Sequence, residues 1–173
     1  MTHYLLWRGG SAAFGICLAA TCFYASPAIA TPASGFTAVQ QWKGVYPPLK
    51  VNTQSDRKSD KDDKWDVKIM TKDTSDVYVT RNSIAVGGQS GWHSHPGPSL
   101  ITVTAGTIKA YESTDPLCSP TTYHAGDGFV DYGDHAHLLK NESGTAAETV
   151  AVQFLPAGAA RRIDEPAPTN CKF

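Results

Sequence analysis

Helical periodicity is missing from this chain of 173 residues: no stretch repeats apolar residues at three- and four-residue intervals for long enough to make a long helix. A surplus of either charge is missing too. Fifteen Lys and Arg face sixteen Asp and Glu, a net charge of -1, so no excess of cations is left to neutralise a phosphate backbone, and nucleic acid is excluded as the expected partner. Internal repeats and low-complexity tracts are absent. So are a Gly-x-Ser-x-Gly elbow, a phosphate-cradling glycine loop and a His-Glu-x-x-His helix, which removes the commonest hydrolase, nucleotide-binding and zinc-protease signatures. What remains is ordinary globular material. Apolar residues make up 41% and charged residues 18%, a balance that argues for one folded domain and against global disorder or a multi-span membrane protein.

The one long apolar run covers residues 11–24 and is too short to cross a bilayer comfortably. It follows a lone cation, Arg8, and precedes the small-residue sequence Ala28-Ile29-Ala30. This pattern predicts a secretory signal over residues 1–30, cleaved after Ala30, with a retained N-terminal anchor as the alternative. Cys17 and Cys22 lack the leucine and small residue that precede a lipidated cysteine. The mature chain is then expected outside the cytoplasm, secreted or periplasmic, with no stable membrane span after cleavage. Its two cysteines, Cys118 and Cys171, are expected to form a disulfide; two free thiols or a soft-metal pair are the competing readings.

Residues 31–65 read as an N-terminal extension. They hold a short opening strand, a break at Tyr46-Pro47-Pro48 and a mixed-charge loop over 51–65 that includes Arg57, Lys58, Asp60, Lys61, Asp62, Asp63 and Lys64. From residue 66 to 173 short β-branched runs alternate with turn residues, as in an all-β sandwich or barrel. Strands are predicted at 67–70, 77–86, 100–104, 107–111, 129–132, 137–140 and 149–155. The last alternates, with Val150, Val152 and Phe154 on one face and Ala151, Gln153 and Leu155 on the other. Only Ala105-Gly106 separates two of these strands, which predicts a tight hairpin.

Six histidines occur, four of them in the pairs His93-Ser94-His95 and His135-Ala136-His137. On a strand, residues two apart project to the same face, so each pair can present two imidazoles to one point. The spacing around them is specific. Gly87 stands six before His93, Gly106 eleven after His95, Gly126 eleven before His137, and Asn141 four after it. In these two stretches the sequence resembles the cupin superfamily, over about residues 77–155.

That resemblance implies a single cupin barrel, a double-stranded β-helix or jelly roll. It makes His93, His95 and His137 the ligands of one divalent transition metal (Fe, Mn, Zn, Ni or Cu), a set that ligand chemistry does not narrow. Three positions depart from the family pattern. Ser99 replaces the usual Glu, Tyr132 the Pro and Asp134 the Gly. A centre of three neutral histidines keeps the metal's full charge, which favours an anionic ligand; Asp131, Asp134 or Glu148 are the candidates for a replacement carboxylate. His135 is either a fourth ligand, a partner of the ligands, or an exposed loop residue like His124. Tyr111, Tyr132 and Asp134 are candidates for moving protons, while Trp92, Tyr111 and Tyr132 are otherwise core or rim aromatics. Because the family spans dioxygenases, decarboxylases, lyases, isomerases, storage proteins and sugar-binding regulators, the fold does not fix the reaction. Two functions stay open: a metal-dependent enzyme, of dioxygenase or lyase type, acting on a small anionic substrate, and a non-catalytic module binding a small molecule or metal. Pairing of edge strands into a homodimer is an expectation of the family that no residue here marks.

Overall fold

The computed structural model describes Met1, residues 30–56 and residues 64–171. The signal over 1–30 therefore lies outside the described residues except at its two ends, as does the centre of the charged loop, residues 57–63. Among the described residues every regular element is a strand: β1 (Ser34–Tyr46), β2 (Lys50–Asp56), β3 (Lys64–Met70), β4 (Ser75–Gln89), β5 (His93–Ser94), β6 (Ser99–Ala105), β7 (Thr107–Glu112), β8 (Thr121–His124), β9 (Gly128–Asp131), β10 (His137–Lys140), β11 (Ala147–Pro156) and β12 (Ile163–Asp164).

Ten of these strands form one sheet that folds back on itself into a nearly closed antiparallel barrel. One half runs β1-β4-β11-β6-β9 and the other β8-β7-β10-β5-β12; they join where Lys140 of β10 pairs Gln89 of β4. Period-two alternation sets the interior. In β11 Ala147, Thr149, Ala151, Gln153 and Leu155 are buried while Val150, Val152 and Phe154 are only half-buried, so the smaller, more polar face looks inward. Ile84, Val103, Ile108, Ala110, Leu139 and Ala147 fill one end of the barrel, where each fully buried aliphatic chain contributes about 1.5–3 kcal/mol. Asn141, the last residue of the second motif, is fully buried there and donates to the carbonyls of Ile84 (3.1 Å) and Thr145 (2.8 Å). Its role is to fasten the turn after β10.

In β10, His137, Leu138 and Leu139 are all buried, which requires cover on both faces. The C-terminal tail supplies the outer cover: Leu138 packs with Trp92, Tyr111 and Cys171 outside the barrel. Cys171 is bonded to Cys118 across 53 residues of chain, and β12 runs antiparallel to β5. The expected disulfide is present.

Several sequence expectations need correction. The Ala105-Gly106 link is not a hairpin, because β6 pairs with β11 and β9 while β7 pairs with β10 and β8. It is a corner carrying the chain from one half of the barrel to the other. Gly106 has φ 73°, and a Cβ there would lie 2.5 Å from the carbonyl oxygen of Ala146. The opening strand is not short. β1 runs 13 residues alongside β4, so this part of the 31–65 segment belongs to the barrel sheet. Part of the expected charged loop is also a strand, since β2 pairs β3 from Lys50↔Met70 to Asp56↔Lys64 in a separate two-stranded sheet. Neither has a continuous buried face, which is why hydrophobic periodicity did not mark them.

Replacing Cys118 with Ser frees the tail and is expected to lower the unfolding free energy by up to about 4 kcal/mol, the chain-entropy value for a loop of this length. Urea melts of both proteins measure it; coincident midpoints would show that the tail is held without the bond.

Candidate metal centre

His93 and His137 are directly opposed partners of β5 and β10, so their side chains leave neighbouring strands on the same face. Their ring centroids lie 4.3 Å apart. His95 follows two residues after His93 and returns to that face, with centroids 4.9 Å from His93 and 5.2 Å from His137. One ligand nitrogen from each of the three falls within 4.8 Å of the others. His93 and His137 are buried and the His95 side chain is 9% exposed. The three histidines thus come together inside the barrel and could hold a metal ion.

Their orientation is fixed from behind. The Nδ1 of His93 donates to the carbonyl of Gly91 at 2.9 Å. That carbonyl is brought into reach by a turn at Gly91, where φ is 69° and a Cβ would lie 2.3 Å from the Thr31 carbonyl oxygen. The Nδ1 of His95 donates to the carbonyl of Arg161. Carbonyls only accept, so both Nδ1 atoms carry the proton and both Nε2 atoms keep a free lone pair, the form that binds metal. Gln153 Nε2, 3.3 Å from the same Nδ1 of His95, cannot donate to a nitrogen already protonated.

Burial, reinforced by His137 and Arg162, pushes His93 down to about 2. Burial also lowers His137 to about 4, against the opposing pull of Asp131, and lowers His95. All three are neutral at pH 7. Asp131, buried on β9, places Oδ2 3.4 Å from His95 Nε2 and 3.3 Å from His137 Nε2. Beside the histidines lies a cavity of about 90 Å³ lined by Thr80, Ser99, Gln153, Arg161 and Arg162, room for about three water-sized groups. Thr80 Oγ1, Ser99 Oγ, Gln153 Oε1 and Arg161 Nε are buried without hydrogen-bond partners, so the cavity wall offers unspent polar contacts. A larger groove of about 640 Å³, lined by Leu100, Val130, Tyr132, Phe154 and residues of β3, is on the outer face of β6 and β9. It is mostly apolar and none of the three imidazoles lines it, whereas all three line the smaller cavity.

Other candidates lie elsewhere. His135 is no fourth ligand: its Nε2 is 2.8 Å from Glu112 Oε2 and its Nδ1 2.6 Å from Asp134 Oδ1. Burial alone would lower its pKa, but Asp134 and Glu112 together raise it. Tyr111 opposes Leu138 on the outer face of the sheet, with its hydroxyl 3.3 Å from Glu142; Tyr132 and Asp134 are exposed, 68% and 79%. None of these three reaches the cavity. Glu148 pairs with Arg81 at the surface, and His124 is exposed. Trp92 is a core aromatic. Gln153, Arg161 and Arg162 were missed as site residues. Gln153 left a signal, a polar side chain on the Ala151/Leu155 face of β11; the arginines left none.

No family model matches the chain, and no curated protein does. In structure the chain resembles cupin and double-stranded β-helix proteins. A protein with a double-stranded β-helix domain from Klebsiella pneumoniae is 20% identical, with 69% of this chain and 85% of that one covered at a TM-score of 0.42. A cupin superfamily protein from Desulfitobacterium hafniense is 11% identical, with 68% and 82% covered at 0.41. A polyketide cyclase from Streptomyces resistomycificus is 13% identical, with 54% and 65% covered at 0.44. The chain spans about half to two thirds of the length of several solved proteins it matches. The superpositions are partial, and the barrel is defined by the strand pairing described above.

The depressed histidines have a consequence for stability. In the unfolded chain they titrate near 6.5, so between about pH 6.5 and 4 the unfolded state binds more protons than the folded one. Stability is full above about pH 6.5 and falls as pH drops through that value towards 4. Thermal melts in chelator should show this fall, and a His93→Gln, His137→Gln protein should show a shallower one. Equal slopes in the two proteins would contradict it.

Proposed function

We propose that this chain is a metal-dependent cupin-type protein whose barrel holds one divalent transition metal on His93, His95 and His137 and admits a small anionic ligand, on which it acts as an enzyme of the dioxygenase or lyase type. The observation that supports it is the convergence of three imidazoles, two of them with Nδ1 committed to a backbone carbonyl and Nε2 left free. Such groups in a dry interior need a partner, and a metal ion satisfies all three at once. When bound, the metal supplies a Lewis acid for the ligand and, if redox-active, an electron-transfer centre.

The chain's own residues define what enters. Arg161 and Arg162 stand at the cavity wall, and Arg162 is close enough to depress His93. Their charges favour a carboxylate or other oxyanion, which an arginine fork holds through charge-assisted hydrogen bonds. The volume restricts the ligand to a few non-hydrogen atoms, and Thr80, Ser99 and Gln153 present hydroxyl and amide groups to its polar edges. Export from the cytoplasm, in keeping with the signal pattern over residues 1–30 and the Cys118–Cys171 bond, is part of the same proposal.

A non-catalytic binding module is the second reading, favoured by one observation. Tyr111, Tyr132 and Asp134 stay outside the cavity, so apart from the histidines themselves no described side chain on its wall is suited to move a proton.

Elemental analysis of protein purified from its own host tests the metal: about one ion per chain is expected, and none in a His93→Ala, His137→Ala variant. Equal metal in both would overturn the assignment. Calorimetric titration with small carboxylates then separates the readings, since binding that persists undiminished after chelation favours a metal-independent module. Arg161→Gln should weaken carboxylate binding about tenfold, the loss of one charge-assisted contact.

A further inference from the structure

The family pattern places a carboxylate where this chain has Ser99, leaving a centre of neutral ligands only. The sheet register puts another carboxylate beside that position. Ser99 of β6 is directly opposed to Asp131 of β9, so the two side chains leave adjacent strands at the same level and on the same face. Asp131 is 4% exposed. Its Oδ1 accepts the backbone N–H of Gly133 at 2.8 Å, which aims the second oxygen into the barrel. Oδ2 has no hydrogen-bond partner, and it faces Nε2 of His95 at 3.4 Å and Nε2 of His137 at 3.3 Å.

A carboxylate oxygen buried without a donor is costly, and here it faces the lone pair of His95, whose proton is held on Nδ1 by the Arg161 carbonyl. Acceptor facing acceptor is repulsive unless a cation lies between them. A proton could bridge Asp131 to one imidazole only. A metal ion bridges it to both: donors about 2.1 Å from a tetrahedral centre lie about 3.4 Å from one another, close to the spacing Oδ2 keeps from the His95 and His137 nitrogens.

We infer that Asp131 is the fourth protein ligand of the centre, supplying from β9 the carboxylate that Ser99 does not supply from β6. The inference rests on the metal reading above and adds a residue to it. The exchange has two effects. It removes one unit of the ion's charge within the barrel, which tightens retention of a divalent ion. It also leaves a short hydroxyl, Ser99, where a long side chain would stand, and the cavity beside the histidines occupies that wall.

Co(II) titration of chelator-treated protein, by competition with a chromophoric chelator and by visible absorption, tests it. The variants are Asp131→Asn, which keeps Oδ1 as the acceptor for Gly133, and His137→Ala, with circular dichroism to verify folding. Wild type should bind one Co(II). Asp131→Asn should bind at least about 10–100-fold more weakly, the range already seen when a metal ligand loses only its hydrogen-bond partner, with a changed visible band. An unchanged affinity and band in Asp131→Asn would overturn the inference while leaving the histidine centre standing. If wild type takes up no more Co(II) than His137→Ala, the centre itself fails and the inference with it. A measurement on wild type alone guards against misfolding of the variant. With ¹³C-labelled aspartate, the metal-loaded minus metal-free infrared difference spectrum should contain a shifted carboxylate band, and its absence would count against Asp131.

Discussion

The structure depends on acceptor lone pairs being held towards one point inside a dry barrel. Imidazole nitrogens of His93 and His95 and a carboxylate oxygen of Asp131 are all electron-rich, and left to themselves they would turn to water or to donors. Each is prevented from doing so by backbone behind it: the Gly91 carbonyl for His93, the Arg161 carbonyl for His95, the Gly133 N–H for Asp131. A cation at that point would relieve their mutual repulsion, which is why the proposed function places one there.

The C-terminal tail is part of this organisation. It covers the outer face of β10 with Cys171, extends the sheet with β12 beside β5, and ties Ser94 to Glu165 by a 2.8 Å hydrogen bond. It also delivers the Arg161 carbonyl to His95 and two arginines to the cavity wall. Packing, ligand orientation and charge at the site thus share one segment of about a dozen residues, pinned by a disulfide that closes a long loop. Loosening the tail therefore acts on His95 as well as on stability.

The sequence made the histidine triad legible because two local rules suffice for it: parity along a strand and glycine spacing around His93, His95 and His137. Interior alternation in β11 was legible for the same reason. The rest required knowledge of which strands meet. Gly106 carries the positive φ of a hairpin, yet the same φ serves a corner between the two halves of the barrel, and only the partners of β6 and β7 distinguish them. Tyr111 lies close to the motifs in space but opposes Leu138, so it belongs to the wrong face. Asp131 was one of three carboxylate candidates, and choosing it needs the Ser99↔Asp131 register, a contact between residues far apart in sequence. The length of β1 and the presence of β2 escaped notice because these strands gain backbone hydrogen bonds without a marked apolar alternation. Arg161 and Arg162 lie in a tail with no periodicity to read.

The most direct test is a crystal structure of the protein grown with Mn(II), Fe(II) or Zn(II), with diffraction collected on both sides of the metal's absorption edge. The account predicts one strong anomalous peak inside the barrel, bonded to Nε2 of His93, His95 and His137 and to Oδ2 of Asp131. An ordered barrel with no peak there, or with those imidazoles turned away from a common point, would contradict it.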